Sequence, residues 1–285
     1  MNEEQRELIN RVKMSFRIAL MQLRKELFSQ KAGMVVLLLG LYLYIMMQPV
    51  KEFAADVGYN ITPVALVFLS CDSFVQMIMV AGAVVLFSNA PFKDEAYPYL
   101  IVRSGRTAWV LGNCLYVVLT GGIYVLFLWS VTVLTTLPHI DFSMTWGKIW
   151  GTLAMTDAGN QYGVMFKVAN GVRTYFGAGQ ALGLTLLLEW GCMCFIGICV
   201  YLWNRVANKP VGTWIGAGLA LFDITVYNLL SGNFMAYSPA SLAMLTNLIQ
   251  SRWGLTLQYA GMFYGIGFCV MVATILGVEK LRVNS

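Results

Sequence analysis

Three acids stand inside otherwise apolar runs: Asp72, Glu189 and Asp223. An ionised carboxylate facing lipid is costly, so each must face a protein interior, a partner subunit or water. Two roles stay open for them: a polar lining of a substrate path that contacts cationic groups or relays protons, or a hydrogen-bonded acid that fixes helix packing. Asp72 has Ser70 and Ser73 beside it, and no Lys or Arg within the same runs partners any of the three. Other chemistry is harder to assemble. His139 is the only histidine, so a Ser-His-Asp or His-metal site lacks its base and its ligand set, and an intramembrane enzyme is the weakest reading. No catalytic residue and no metal ligand is assigned. Cys71, Cys114, Cys192, Cys194, Cys199 and Cys269 all fall in apolar runs and imply no disulfide framework. Cys192 and Cys194 point in different directions on a helix, so small apolar packing suits them better than a metal. No segment reads G-x-x-x-x-G-K-[ST], so any ATP used is bound by another chain.

The elements that must position these acids follow from hydropathy. The chain has 285 residues, 58% hydrophobic and 12% charged, and its charge-poor runs reach about 20 residues, the length that crosses a bilayer. This predicts an all-α polytopic membrane protein with about six transmembrane helices, near residues 33–49, 63–87, 108–134, 179–203, 211–230 and 259–278. Residues 1–31 form a separate unit, and residues 32–285 the transmembrane domain. In the first unit Leu8, Val12, Phe16, Ala19, Leu23 and Leu27 recur at helical spacing between Arg and Lys residues. That is a basic amphipathic helix, suited to an anionic lipid surface or to a partner.

The net charge of +5 sits in clusters that flank the apolar runs, which points to membrane topology and not to nucleic acid. With both termini inside, fourteen Lys and Arg residues fall on the cytoplasmic side and five outside. Two external segments, 138–176 and 231–258, exceed plain turns and predict interfacial or re-entrant helices on the outer side. Gly212-x-x-x-Gly216 and Gly261-x-x-x-Gly265 are small-residue spacings that allow close helix approach, at a subunit interface or within the bundle.

The stretch "APFKDEAYPYLIVRSGR", Ala90 to Arg106, carries most of the mid-sequence charge between the second and third spans. Arg103 and Arg106 are explained by topology alone, whereas Asp94, Glu95 and the apolar Tyr97, Leu100 and Ile101 suit a protein contact.

The layout resembles the permease subunit of ABC transporters of the ABC-2 class. The matching residues are the N-terminal "ELINRVKMSFRIALMQLRKELF", the pair Asp94-Glu95, and "RSGRTAWVLGN" opening the third span. The resemblance implies a cytoplasmic amphipathic helix, six spans, and a coupling helix at about 93–103 made by Lys93, Asp94, Glu95, Tyr97, Leu100, Ile101 and Arg103. It also implies a re-entrant region at about 231–258 before the last span. ATP and Mg2+ would be held by a separate ATPase subunit, two copies of which would serve a pair of permeases. The chain is similar to small bacterial exporters of amphipathic peptides of the phenol-soluble-modulin type, which implies a peptide or lipid-like cargo and the plasma membrane of a bacterium. The rival expectation is a secondary transporter coupled to protons or Na+ through Asp72, Glu189 and Asp223.

Overall fold

A computed structural model describes residues 3–90, 97–229, 232–249 and 254–284. In chain order the helices are α1 (Glu3–Leu27), α2 (Gln30–Val57), α3 (Ala65–Leu69), α4 (Ser73–Phe87), α5 (Tyr97–Ser104), α6 (Arg106–Thr135) and α7 (Gly147–Met155). Then come α8 (Ala158–Gln161), α9 (Asn170–Tyr175), α10 (Ala178–Ala207), α11 (Val211–Leu229), a 3-10 turn (Gly232–Tyr237), α12 (Pro239–Ala243), α13 (Leu245–Leu248) and α14 (Leu257–Asn284). No named strand occurs among the described residues; the sole extended pairing there is a parallel bridge between Ile61 and Ile140.

Four of these helices, α2, α6, α10 and α14, are long and apolar enough to cross a membrane. The six expected spans therefore separate into two groups. Two of them correspond to weaker elements. Residues 63–87 do not form one helix: the backbone breaks at Ser70 to Asp72, leaving the 5-residue α3 and the 15-residue α4. The break has a local cause, because the Asp72 carboxylate accepts from the backbone N–H of Phe74 at 3.0 Å and of Val75 at 3.1 Å. A side chain that caps the next helix cannot also sit inside a continuous one. Residues 211–230 form α11, 19 residues long with Asp223 inside. The first span is longer than hydropathy indicates. Helix α2 continues through Pro49 to a left-handed cap at Gly58, φ 72°, and carries Lys51, Glu52 and Asp56 on its last two turns.

Helix α10 is the centre of the bundle, packed against α4, α6, α11 and α14. Its crossing with α11 is set by Gly212, where a Cβ would stand 2.2 Å from the Val200 carbonyl oxygen. That resolves one small-residue spacing as internal packing, since a Cβ on Gly216 would also meet Val200 and Val84. Gly261 and Gly265 on α14 instead have open space around them. Nearby Met262, Ile266 and Val270 are all exposed at four-residue spacing, so this face of α14 looks out of the bundle.

Helix α1 lies along α6. The seat differs from the apolar stripe expected for it. Ser15, Ile18, Ala19 and Gln22 are the buried residues, while Val12, Phe16 and Leu27 of the expected stripe face outward with Ile9 and Leu20. Ser15 Oγ donates to the Ala108 carbonyl at 3.1 Å. A Cβ on Gly112 would stand 2.8 Å from Ile18, so that glycine lets the two helices approach. The helix thus has three faces: a small one against α6, an apolar one turned outward, and the exposed cations Arg6, Arg11, Lys13, Arg17, Arg24 and Lys25.

At one end of the bundle the contacts join Lys31 to Ser88, Asn204 to Ala90 and Arg205 to Glu279. At the other end residues 138–176 fold into a cap. Trp150 Nε1 donates to the Thr62 carbonyl at 3.2 Å, and Trp146 and Trp150 both pack on Phe68.

Candidate functional site

The break before α4 meets a second irregular stretch. Ser238 caps α12, with Pro239 at its first position, and all five residues of α12 are buried. The backbone turns again at Met244 before α13. Irregular backbone away from water is tolerated where protein surrounds it, and here it does: α12 packs on α4, α10, α11 and α14. Within the stretch expected to be re-entrant, residues 239–248 form a hairpin of two short helices, α12 buried and α13 half-buried. The two breaks touch, with Ser73 Oγ against Met244 Sδ at 4.0 Å and Cys71 beside Thr246. The last helix holds the hairpin through Tyr264, whose hydroxyl donates to the Pro239 carbonyl at 2.6 Å. Gly191 makes way for the Tyr264 ring, because a Cβ there would stand 2.9 Å from it.

Two of the three predicted acids converge at this junction. Glu189 is fully buried on α10, and its Oε2 accepts from Gln76 Nε2 of α4 at 3.1 Å. Asp223 of α11 is 2% exposed and accepts from the Ser241 hydroxyl of α12, with the Ser73 hydroxyl beside it. Ser73 and Gln76 are three residues apart, so one face of α4 reaches both acids about one helical turn apart. Gln76 and Ser241 carry no charge and gave no signal in the sequence; only the fold shows that they hold the acids. Asp72 has a different place. It is partly exposed as the α4 cap and lines a cavity of about 470 Å³ toward the 138–176 cap, with Leu153, Asn160, Phe166 and Lys167.

A second opening, about 510 Å³, lies between α6, α10 and α14 and is lined by Leu187, Trp190, Tyr264, Phe268 and the open Gly261 and Gly265. Its walls suit an acyl chain or an apolar side chain.

The predicted coupling residues are distributed differently. Lys93, Asp94 and Glu95 lie outside the described residues. Tyr97 opens α5, Arg103 is exposed in its last turn, and Leu100 and Ile101 are half-buried, with Ile101 packed against the core. The outward apolar pair is instead Tyr99, 80% exposed, and Val102, 88% exposed. On an eight-residue helix one side rests on α6 and α1, so the i, i+3 pair opposite to it is the one that projects. Gly105, at φ 78°, then turns the chain directly into α6, a conformation that only glycine adopts without strain.

Among the described residues no group of three or more His, Cys, Asp or Glu side chains is placed to hold a metal. The chain matches no family model, no curated protein and no solved structure.

Proposed function

We propose that this chain is the permease subunit of an ATP-driven exporter, moving an amphipathic or hydrophobic cargo, with a peptide as the best fit. Both termini, α1 and α5 lie on the cytoplasmic side of a bacterial plasma membrane in this reading, and α3 with α4, and α11, complete six crossings. ATP and Mg2+ are bound by two copies of a separate ATPase subunit, and a second permease completes the transporter. The observation that carries the reading is α5: a short helix that offers Tyr99 and Val102 to solvent, is anchored by Ile101, and is fused through Gly105 to a 30-residue helix. Exposed aromatic and aliphatic residues on a rigid lever suit docking in a groove of a moving partner. The buried hairpin of α12 and α13 and the apolar groove beside α14 support it further, as an outer gate and as a lateral surface for apolar cargo.

The test is copurification of the full chain with its ATP-binding subunit. Tyr99→Ala combined with Val102→Ala should abolish the complex and cargo-stimulated ATP hydrolysis, while the permease keeps its elution profile and thermal stability. Retention of the complex by that double variant would refute the docking role. Transport that persists without any ATPase but collapses with the proton gradient would replace this reading with a secondary transporter.

A further inference from the structure

The junction of the two broken stretches leaves several buried side-chain oxygens without a hydrogen-bond partner. After Gln76 has donated to Glu189, and Ser241 to Asp223, three oxygens stay buried without a donor: Glu189 Oε1, Gln76 Oε1 and Asp223 Oδ2. A fourth orphan stands one turn before Glu189 on the same face of α10, the fully buried Thr185 Oγ1. Buried polar atoms are almost always paired, and an unpaired carboxylate is the most costly of all. The Ser73 hydroxyl lies beside Asp223, and the tyrosine hydroxyls nearby are already committed. Tyr124 of α6 gives its hydroxyl hydrogen to the Met79 carbonyl, and Tyr264 of α14 gives its own to Pro239. No Lys or Arg forms an ion pair with either acid among the described residues. Arg205, sixteen residues beyond Glu189 on α10, is paired with Glu279.

We propose that Gln76, Thr185, Glu189 and Asp223 form a site for a monovalent cation, a proton or a sodium ion, which closes the bundle where α4 meets the α12 hairpin. Either occupant supplies what the oxygens lack. A proton on Glu189 Oε1 provides the donor missing from Gln76 Oε1 and makes an acid–amide pair. A sodium ion takes the carboxylate, carbonyl and hydroxyl oxygens as ligands. A divalent ion fits poorly, because it is held by several charged ligands or retained waters, and among the described residues no group of three or more His, Cys, Asp or Glu side chains gathers here. The titratable groups facing the site are Asp223 from α11, Cys192 beside Glu189 on α10, Tyr264 from α14, Tyr124 from α6, and Cys71 and Asp72 from the α3–α4 break. None of these brings a positive charge. Helices α12 and α13 contribute no charged side chain. The site is independent of the exporter reading, since it rests on the bundle interior and not on α5.

The experiment uses the full chain in lipid nanodiscs, its thermal unfolding followed in NaCl and in choline chloride from about pH 5 to about pH 9. For a sodium site, the midpoint rises with sodium at fixed ionic strength, and Thr185→Val weakens the response about tenfold in sodium concentration. For a proton site, the midpoint falls as pH rises with no sodium effect. Glu189→Gln then abolishes the pH response and removes a protonated-carboxyl band from the infrared spectrum. Should Glu189→Gln fail to fold, Thr185→Val and the wild-type infrared band still decide. The proposal is overturned if wild-type unfolding responds to neither sodium nor pH, or if the response is unchanged in Glu189→Gln, or, where that variant does not fold, if Thr185→Val leaves the sodium response unchanged and the wild type shows no protonated-carboxyl band.

Discussion

Asn204 gives the sharpest test of how the bundle is held together. Its side chain is 3% exposed and joins three elements. Oδ1 accepts from the Gly212 N–H at 2.7 Å, Nδ2 donates to the Ala90 carbonyl at 2.8 Å, and a weaker contact reaches the Ser88 carbonyl at 3.4 Å. The end of α4 is thereby tied to the α10–α11 turn directly before the loop that leads to α5. In Asn204→Leu the size is nearly kept and both good bonds go, orphaning one donor and one acceptor. In a water-based reference each orphan costs about 1–3 kcal/mol, which gives roughly 2–6. Hydrogen bonds between membrane helices measure about 0.6 kcal/mol on average and about 1.7 at most, because the unfolded chain in a bilayer also finds partners. The membrane range governs here, and two short bonds at its upper end give about 2–3 kcal/mol. At about 1.4 kcal/mol per tenfold, the ratio of folded to unfolded protein drops roughly 30- to 140-fold. Reversible unfolding of purified protein in mixed detergent micelles reads this directly. Asn228→Leu is the control, since among the described residues its side-chain bond is to Ile224 on its own exposed face. A change under about 0.5 kcal/mol in Asn204→Leu, the range of ordinary surface substitutions, would refute the clamp.

Two further outcomes follow from the packing. Glu26, half-buried at the α1–α2 joint, is pushed above its ordinary value of 4.5 mainly by burial, with Lys31, Ser29 and Lys25 opposing. A raised carboxyl stabilises the fold fully below that ordinary value and loses the contribution as pH rises through its folded value. Glu26→Gln should therefore unfold with wild type in acid and at a higher temperature near neutral pH; a difference that grows toward acid would refute the sign. Gly197→Ala puts a Cβ 2.5 Å from Val117 and 2.9 Å from Phe87, and overpacking of this kind typically costs about 1–3 kcal/mol. Gly183→Ala, where a Cβ meets nothing within 4 Å, should be tolerated in the same unfolding assay.

How far the sequence could be read depended on the kind of information needed. Apolar length alone located α2, α6, α10 and α14, because a bilayer-length run leaves no other way to satisfy the backbone. It failed at residues 63–87, where average hydropathy conceals that Ser70-Cys71-Asp72 stops one helix and caps another. A polar cluster followed by a free helix start was the available signal, and it marks a cap as readily as an interior acid. For α1 a single stripe was expected, but the helix packs on α6 by one face and leaves a second apolar face uncovered, and both faces use the same residue types. The acids were visible as anomalies; their partners Gln76 and Ser241 were not, because an uncharged polar residue in a span is unremarkable until a neighbour's position is known. On α5 the spacing named a helix, yet which apolar pair projects was fixed by the surface underneath it.

The seat of α1 has a consequence for biogenesis. Ser15 bonds to Ala108, 93 residues later in the chain. At the usual ~5–20 residues per second, α1 leaves the ribosome about 5–20 s before its partner exists. During that wait α6 is not there for it to lie on, and its outward apolar residues with their flanking cations have the make-up of a helix that adsorbs to a lipid surface. The face that the finished bundle leaves uncovered is therefore the one open for contact from the start, before α6 exists to cover the other.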